Sequence, residues 1–506
     1  MPEILLATMN ARWLHTAFGL RCLRANLGAL RERSEILEGD IQQRPLDFVE
    51  RVLAQRPRIV GLSVFVWNVA PLTSVVRILR EVAPQVVVVL GGPEVSHETE
   101  GQEITALAHH VVRGEGDLAF RTLCETLLAG GTPPRVIDAP PPDLAALDLP
   151  YDEYDATDVA HRVIYVEASR GCPFECEFCL SSLDERVRSF PLDAFLRSMQ
   201  GLLDRGVQHF KFVDRTFNLG IATSLRILRF FRERLRDGLF LHFEMIPDRL
   251  PEALREEIAL FPAGSLQFEV GIQTFDPAVA ARISRRQDYD KLEDNLRFLR
   301  ERTGVHVHAD LIAGLPGEDL ATFARGFDRL IALDPQEIQV GILKRLRGTP
   351  IGRHDAEWDV VWGQEPPYEI LQSRCLSFDE LQRLRRFARF FDLLRNSGSF
   401  RATMALLFRD GSPFATFLAL SDWLFAQTRA AHGIALHRLA ELVFEFLVTV
   451  RRLPATEVGT AMWSDFARTR PNDWPAFLRP YAAEEHAVRP RVIAAAKRQS
   501  RHLDGA

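Results

Sequence analysis

The stretch RVIYVEASRGCPFECEFC, residues 162–179, joins a β-branched run to a loop that carries three cysteines. Cys172, Cys176 and Cys179 are half of the six cysteines in the chain, and their C-x3-C-x2-C spacing lets three thiolates reach one metal centre. A structural zinc site takes four protein ligands, and no second C-x2-C pair or nearby His-x3-His completes one here. Three thiolates on a [4Fe-4S] cluster leave one iron open for another ligand. The loop therefore favours an iron–sulfur cluster, with zinc as the alternative.

Six predicted strands follow one another from residue 159 to about residue 348, separated by helical stretches such as PLDAFLRSMQGLLDR. Their runs are RVIYVEAS, HFKFVDRTF, LFLHFEMIP, SLQFEVGIQTF, VHVHADLIAGLP and EIQVGILK. Strand–helix alternation indicates a parallel sheet, and six repeats are two short of a closed eight-fold barrel. We therefore predict a partial (β/α)6 barrel of the TIM type over residues 159–348. The three cysteines directly follow its first strand, on the face where barrel folds hold their chemistry.

The regions on either side of this barrel differ in pattern. Residues 1–130 alternate short β-branched runs with amphipathic stretches, which predicts an α/β domain with a doubly wound, five-stranded parallel sheet. Its ligand face would hold the loops GLSVFVWN, GGPEVSH and RGEGD, which follow predicted strands. Residues 131–158 are rich in proline and are predicted to be a linker. Residues 349–506 carry apolar residues at helical spacing, so a mainly helical third domain is expected, and its basic run KRQSRH is interpreted as a solvated tail.

The composition limits the partners that the chain can have. Its formal net charge of -6 and its well-mixed charged residues give no reason to expect a nucleic acid or an anionic membrane as a partner. No run reaches the ~18 consecutive apolar residues of a membrane span, and no basic stretch followed by an apolar one opens the sequence. The few, partly clustered cysteines suit a reducing compartment, so a cytoplasmic location is expected.

The C-x3-C-x-aromatic-C loop after the first barrel strand resembles the signature of the radical S-adenosylmethionine (SAM) superfamily. The resemblance implies that the three cysteines hold a [4Fe-4S] cluster whose open iron binds SAM and splits it reductively to a 5′-deoxyadenosyl radical. Phe178 would shield the sulfurs from water. An electron donor such as flavodoxin or ferredoxin is implied as a partner.

Three later segments, LHFEMIPDRL, GIQTFDPAVAARISRR and DLIAGLPGED, resemble strand ends of the coproporphyrinogen-dehydrogenase-like branch of this superfamily. The resemblance implies a SAM site with Glu244 and Asp310 on the ribose hydroxyls, Gln273 on the methionine amino group and Arg285 on its carboxylate. Arg286 is the alternative to Arg285, and Asp214 in KFVDRTFN would lie near the methionine moiety. Carboxylates suit a ribose diol, and a guanidinium suits a carboxylate.

The N-terminal region resembles the cobalamin-binding domain that precedes the barrel in one class of radical SAM proteins. The resemblance places the following loop residues around cobalamin: Ser63, Gly91, Gly92, Gly114 and Gly116. A plain NAD site is disfavoured, because no G-x-G-x-x-G follows the first strand. The Asp-x-His-x-x-Gly motif of some cobalamin proteins is also missing, and His15 and His97 are interpreted as polar loop residues. Base-off cobalamin without a protein histidine on cobalt is therefore predicted.

The C-terminal third resembles the helical extension, a domain of unknown function, of a subfamily of cobalamin-type radical SAM proteins. Trp423, Trp463 and Trp474 are interpreted as packing residues, with a substrate cap as the alternative. Together the resemblances predict a radical SAM enzyme that uses cobalamin to methylate an unactivated carbon or phosphorus centre of an unidentified small-molecule or peptide substrate. A rearrangement or oxidative cyclisation, and a non-catalytic cobalamin or redox sensor, are the alternatives. Methylthiolation of tRNA is disfavoured, because it would want further clustered cysteines and a basic domain.

Overall fold

The computed structural model describes residues 1–482 and 498–502 and divides into two compact units. Unit 1 consists of Met1–Arg215, Lys344–Gly352 and Gly363–Glu369, and unit 2 consists of Thr216–Leu343, Arg353–Trp362 and Ile370–Ala506. The break after Arg215 falls inside the predicted barrel, so each unit holds part of that strand series. All six predicted barrel strands form, two of them in unit 1 and four in unit 2.

Unit 1 begins with a parallel sheet. Its strands are β1 (Ile4–Asn10), β2 (Ser34–Asp40), β3 (Ile59–Ser63), β4 (Val87–Gly91), β5 (His110–Gly114) and β6 (Val136–Ala139), in the order β2-β1-β3-β4-β5-β6. β1 is buried at all seven positions, because helices cover both faces of such a sheet. The sheet has one strand more than the predicted five. The additional strand, β6, lies in the segment predicted to be a linker and pairs Ala139 with Gly114.

Helices pack on both faces of this sheet. They are α1 (Phe18–Ala25), α2 (Pro45–Ala54), α3 (Val69–Val82), α4 (Pro93–Ser96), α5 (Glu103–Leu107) and α6 (Ala119–Leu128). One apolar core contains Phe48 of α2 and Leu72 of α3, and the other contains Leu20 of α1 and Phe120 of α6. Two separate cores confirm that the sheet is doubly wound.

The remainder of unit 1 carries the cysteines and their supports. Its elements are α7 (Ala156–His161), β7 (Ile164–Val166), β8 (Ser169–Arg170), β9 (Arg188–Ser189), α8 (Leu192–Asp204) and β10 (His209–Phe212). Asp155 and Asp158 form a capping box that starts α7. β7 and β10 run parallel, with Ile164 opposite Phe210. β8 and β9 form an antiparallel ribbon that closes the loop between them, residues 171–187, which we call the cysteine loop.

A later part of the chain returns to unit 1. Arg347 Nε donates to Glu94 Oε1 at 2.9 Å, and Tyr368 Oη donates to the same oxygen at 2.6 Å. Ile351 N donates to Glu177 O at 3.1 Å. The returning segment is therefore bonded both to α4, after β4, and to the cysteine loop.

Unit 2 contains parallel strands in the order β14-β13-β12-β11, which are β11 (Phe240–Met245), β12 (Leu266–Gln273), β13 (His306–Ala313) and β14 (Glu337–Ile342). The helices before and between them are α9 (Ile221–Arg232), α10 (Glu252–Ala259), α11 (Pro277–Arg282), α12 (Tyr289–Arg302) and α13 (Leu320–Ala332). Asp319 caps α13 by accepting from Thr322 N at 2.8 Å. Because side chains alternate along a strand, His308 and Asp310 of β13 lie on one face of the sheet.

The mainly helical C-terminal region is confirmed. Its helices are α14 (Asp355–Trp358), α15 (Phe378–Phe391), α16 (Arg401–Leu407), α17 (Pro413–Thr428), α18 (Leu436–Glu445) and α19 (Ala455–Thr469), with a short hairpin of β15 (Val361–Trp362) and β16 (Ile370–Gln372). Phe327 of α13 packs edge-on against Phe387 and Phe414, with ring centroids 5.0 and 5.8 Å apart. Trp423 packs near Phe446, and Trp463 packs edge-on against Trp474. Within residues 1–482 and 498–502, no helix has both the length and the apolar character needed to cross a membrane.

Asn396 fastens the helical region to β14. It ends the π-helical turn Asp392–Asn396, accepts from Ile338 N at 2.9 Å and donates to Ile338 O at 2.8 Å. Arg498 pairs with Glu337 at 2.7 Å, and the His502 ring bonds Asn396 O at 2.9 Å. The interpretation of KRQSRH as a solvated tail is therefore wrong for these two residues, because the buried Glu337 carboxylate needs a counter-charge. Lys497 lies outside the described residues.

Candidate functional site

Backbone hydrogen bonds close the cysteine loop near its ends and also form within it. Cys172 N donates to Asp184 O at 2.9 Å, and Cys179 N donates to Cys176 O at 3.0 Å. Ser182 Oγ donates to Cys179 O at 2.6 Å. The three thiols are thus presented by one closed loop at the end of the first barrel strand, as the sequence predicts.

Gly171 is required by the geometry of this loop. Its φ of +90° lies in a region that side chains rarely adopt, and a Cβ there would collide with the carbonyl oxygen of Arg186. The backbone at Gly171, just before the first cysteine, therefore lies directly against the backbone at Arg186. Only glycine allows that approach.

The thiols differ in exposure. Cys172 and Cys176 are buried, whereas Cys179 and Phe178 are half-buried. Burial raises the pKa of the Cys172 thiol, and the neighbouring Cys179 and Cys176 raise it further. Within the described part of the chain, no three side chains of His, Cys, Asp or Glu are grouped to hold a single metal ion. A [4Fe-4S] cluster does not need such convergence, because each thiolate binds its own iron.

Asp214 lies at the base of the cysteine loop. Its carboxylate is buried and accepts from Ala168 N at 3.0 Å and from Ser169 Oγ at 2.6 Å. Burial raises the pKa of Asp214 to about 6, although these hydrogen bonds oppose the shift. The carboxylate thus fixes the chain three and four residues before Cys172. A contact of Asp214 with the methionine moiety of SAM stays a prediction.

A cavity of about 480 Å³ opens at the carboxyl ends of β3, β4 and β5 in unit 1. All of the residues predicted to surround cobalamin line it: Ser63, Gly91, Gly92, Gly114 and Gly116. The volume lies in the ~300–1,000 Å³ range of small-molecule sites. Gly92 and Gly114 have φ of +105° and +84°, and a Cβ on either would meet a backbone oxygen. Backbone without side chains therefore forms this part of the wall, which fits the close approach of a bulky cofactor.

One side of the cavity is polar. Glu167, which precedes β8, and Arg170, which lies in β8, line it together with Glu115 and Asp117. Burial raises the pKa of Glu167 to about 7, although Arg170 opposes the shift. Sequence reasoning missed these residues. The available signal was the acidic pair within RGEGD and the arginine directly before Gly171 and Cys172.

Neither His15 nor His97 is among the cavity-lining residues. His15 Nδ1 lies 2.7 Å from Tyr165 Oη. The His97 ring packs so closely on Gly348 that a Cβ on this glycine would overlap it. Their positions support the interpretation of both histidines as polar loop residues.

The residues predicted to bind SAM lie in unit 2, apart from Asp214. Glu244 of β11 is opposite Glu269 of β12, and Asp310 of β13 is opposite Gly271 of β12. The register shifts between Gly271 and Gln273, where Gln273 has a φ of +71°. A positive φ is uncommon for glutamine, and a bulge turns a side chain away from its regular direction.

Two of the predicted SAM residues lie beside Gly271, which sequence reasoning missed. Arg285 Nη2 donates to Gly271 O, and a Cβ on Gly271 would lie 2.6 Å from Gln273 Nε2. Gln273 Oε1 is buried without a hydrogen-bond partner among the described residues. Such an acceptor fits the protonated amino group of SAM. Arg286 is exposed, which favours Arg285 as the carboxylate ligand.

A histidine stands beside the predicted ribose ligand. His308 Nε2 lies 3.3 Å from Asp310 Oδ1, and His308 Nδ1 lies 3.7 Å from Glu337 Oε2. Burial lowers the pKa of His308, but these carboxylates outweigh it and the net pKa is raised. Glu337 also accepts from His306 Nε2 at 3.0 Å. His306, His308 and Glu337 therefore form an ionic cluster that contacts Asp310 through His308.

A doubly wound sheet with a glycine-lined cavity, followed by a cysteine loop and a series of parallel strands, defines an α/β protein in which the cavity and the loop are the candidate cofactor sites. Three family models match the chain in that order: "B12 binding domain" over residues 5–124, "Radical SAM superfamily" over 166–330 and "Protein of unknown function (DUF4080)" over 356–503. Residues 166–330 are thus similar to the radical SAM superfamily, and residues 5–124 are similar to a B12-binding domain. A radical SAM domain implies a [4Fe-4S] cluster and SAM, and a B12-binding domain implies cobalamin.

Two of the curated proteins to which the chain is similar are methyltransferases. An uncharacterized methyltransferase of Pyrococcus horikoshii is 28% identical over 52% of this chain and 61% of its own length. The cobalamin-dependent radical SAM methyltransferase TokK of Streptomyces tokunonensis is 26% identical over 58% of this chain and 48% of its own. The chain thus spans about half to three fifths of the length of these relatives.

Two structures show the fold. The radical SAM methyltransferase TsrM from Kitasatospora setae, with cobalamin and a [4Fe-4S] cluster bound, aligns over 76% of this chain and 85% of its own with a TM-score of 0.58 and 18% identity. The cobalamin-dependent SAM radical enzyme OxsB aligns over 92% and 78%, with a TM-score of 0.59 and 12% identity. They support the predicted α/β architecture.

Proposed function

We propose that the chain is a cobalamin-dependent radical SAM methyltransferase that acts on an unactivated carbon or phosphorus centre. The observation that carries the proposal is the cavity of unit 1, because all of the residues predicted to surround cobalamin line it. Arg170, the residue directly before the cysteine loop, lines it as well. The methyltransferases among its relatives support the reaction class. Radical SAM enzymes need a reductant, so an electron donor such as flavodoxin or ferredoxin is expected as a partner.

The residues present fit the two implied cofactors and the cluster. Cys172, Cys176 and Cys179 would hold the cluster, and the glycine-lined cavity would hold cobalamin. In unit 2, Gln273 Oε1 offers an unused acceptor for the SAM amino group. When bound, SAM supplies a radical that removes a hydrogen atom, and cobalamin supplies the methyl group. The protein binds these groups, orients them and excludes water.

The test is anaerobic reconstitution of the full chain with iron, sulfide, SAM and hydroxocobalamin in the presence of a strong chemical reductant such as dithionite, followed by mass spectrometry. We expect 5′-deoxyadenosine and S-adenosylhomocysteine together. 5′-Deoxyadenosine alone would favour a rearrangement or cyclisation. Bound cobalamin with intact SAM would favour a sensor and would contradict the proposal.

Two cysteine variants make the experiment specific. Cys176→Ala should lose both the visible absorption of the cluster and SAM cleavage. Cys124→Ala is the matched control, because Cys124 is also buried in unit 1 but lies in α6, away from the cysteine loop. Retained cleavage in Cys176→Ala would contradict the site assignment.

A further inference from the structure

Arg170 belongs to two sites at once. It lines the cavity of unit 1, and it lies in β8, two residues before Cys172. Its Nη1 donates to Glu115 Oε2 at 2.7 Å and to Asp117 Oδ2 at 2.9 Å, both in the loop that directly follows β5. Its Nε donates to Glu167 Oε2 at 3.0 Å. One guanidinium therefore ties the cavity wall to the start of the cysteine loop.

The ribbon partner of Arg170 strengthens this connection. Arg188 is opposite Arg170 in the β8–β9 pair, and it donates to Glu115 and to Asp184 Oδ2. The backbone oxygen of Asp184 accepts from Cys172 N. Both arginines of the ribbon thus reach Glu115, and both lie on the strands that close the cysteine loop.

Burial and charge make the connection firm. The Arg170 side chain is 13% exposed, and those of Asp117 and Glu167 are 6% and 14% exposed. Breaking one partner of a buried charge pair leaves the other charge without compensation, which is strongly unfavourable. A lysine could not replace the arginine, because a single ammonium lacks the planar fork that serves carboxylates on two sides. The two loops are therefore expected to move together.

We propose that Arg170 is a positioning residue that couples the cluster site to the cobalamin site. A cluster on the three cysteines restricts the motion of the cysteine loop. Because Arg170 is paired with Glu115 and Asp117, the cavity wall that these two residues form is restricted as well. Cobalamin then binds a wall that is already ordered, so less conformational freedom is lost on binding. By reciprocity, bound cobalamin holds the cluster more firmly. The inference rests on the proposed function only in that both groups bind.

The test compares hydroxocobalamin binding to the full chain with and without its reconstituted cluster, by anaerobic spectral titration. Coupling between two sites commonly changes affinity by about fivefold or more, so the cluster-loaded wild type should bind at least about fivefold more tightly. In Arg170→Lys, the ratio of the two dissociation constants should fall to about one. The matched control is Arg162→Lys, because the Arg162 side chain is 7% exposed and pairs with Glu38 and Asp158 but does not line the cavity. It should keep the wild-type ratio.

A second measurement needs no variant. The rate at which an iron chelator removes the cluster from wild-type protein should fall several-fold when hydroxocobalamin is present. Equal hydroxocobalamin affinity of the cluster-loaded and cluster-free wild type, an unchanged rate of cluster loss, or a full coupling ratio in Arg170→Lys would each overturn the coupling. Failure of wild-type protein to bind hydroxocobalamin in either form would instead overturn the proposed function.

Discussion

Gly271→Ala should separate SAM binding from folding. The added Cβ would lie 2.6 Å from Gln273 Nε2 and 3.7 Å from Arg285 Nη2. The first distance is too short, and the obstacle is the end of a flexible side chain rather than backbone. Gln273 should therefore swing away while β12 keeps its path. Its Oε1 would then leave the position from which it is proposed to accept from the SAM amino group.

The expected magnitude follows from that one contact. A hydrogen bond to a charged group contributes about 1.5–3 kcal/mol, and each 1.4 kcal/mol is tenfold in affinity. The Kd for SAM should therefore rise roughly 10- to 150-fold. Stability should change by less than about 1 kcal/mol, because alanine restricts the unfolded chain more than glycine does and offsets part of the local disturbance.

The assay is equilibrium dialysis of SAM against anaerobically reconstituted protein, with iron content measured in parallel. Gly341→Ala in β14 is the matched control, because its Cβ would lie 3.6 Å from Leu311 O, an ordinary contact, and it should bind SAM like wild type. Gln273→Ala should weaken SAM binding to the same extent, and the double variant should lose nothing further. A folded Gly271→Ala protein with wild-type SAM affinity would refute the role given to Gln273.

Three further predictions concern the loop, the sheet and pH. Gly171→Ala should lower the iron bound per chain to less than half of wild type, because the loop must distort; unchanged iron content would show that the loop tolerates a side chain. Asn396→Leu should lower unfolding stability by about 2–4 kcal/mol in urea, since it leaves two buried backbone groups of Ile338 unpaired; no shift of the midpoint would contradict the edge-capping role. Burial raises the pKa of Glu318 from 4.5 to about 8, so folding holds its proton and wild-type stability should decline as pH rises from about 4.5 to about 8. Glu318→Gln keeps the hydrogen bond from Thr274, and its stability should decline less over this pH range, by several kcal/mol at about 1.4 kcal/mol per pKa unit. The prediction would be contradicted if the urea midpoints of the two proteins changed by the same amount between pH 5, 6.5 and 8.

The fold could be predicted because apolar, β-branched runs alternate with amphipathic helical stretches along the chain. β1 and β13 are seven- and eight-residue runs of this kind, and both were recognisable from the sequence. β6 was not, since its four residues lie among prolines and form a sheet edge with alternating exposure. Local pattern carries little information about so short an edge strand.

The site could be predicted where function depends on spacing, and not where it depends on tertiary pairing. Cys172, Cys176 and Cys179 act from one loop, so their positions in the sequence are enough. Arg170 acts through Glu115 and Asp117, which lie 55 and 53 residues earlier in the chain. No periodicity marks such a pair. Gln273 was identified by resemblance, but its positive φ and the role of Gly271 beside it emerge only from the register of β12 and β13.

The helical region contributes through tertiary contacts with β14 rather than through a sequence motif. Arg498 and Asn396 both act on β14, one at Glu337 and one at Ile338, so the helical region supports the strand next to β13. Glu337 in turn lies against His308, which lies against Asp310. Through this chain of contacts, a region with no catalytic motif of its own can fix the carboxylate proposed to hold the ribose of SAM. Its described contacts within unit 2 therefore favour a role in holding the SAM-binding strands in place.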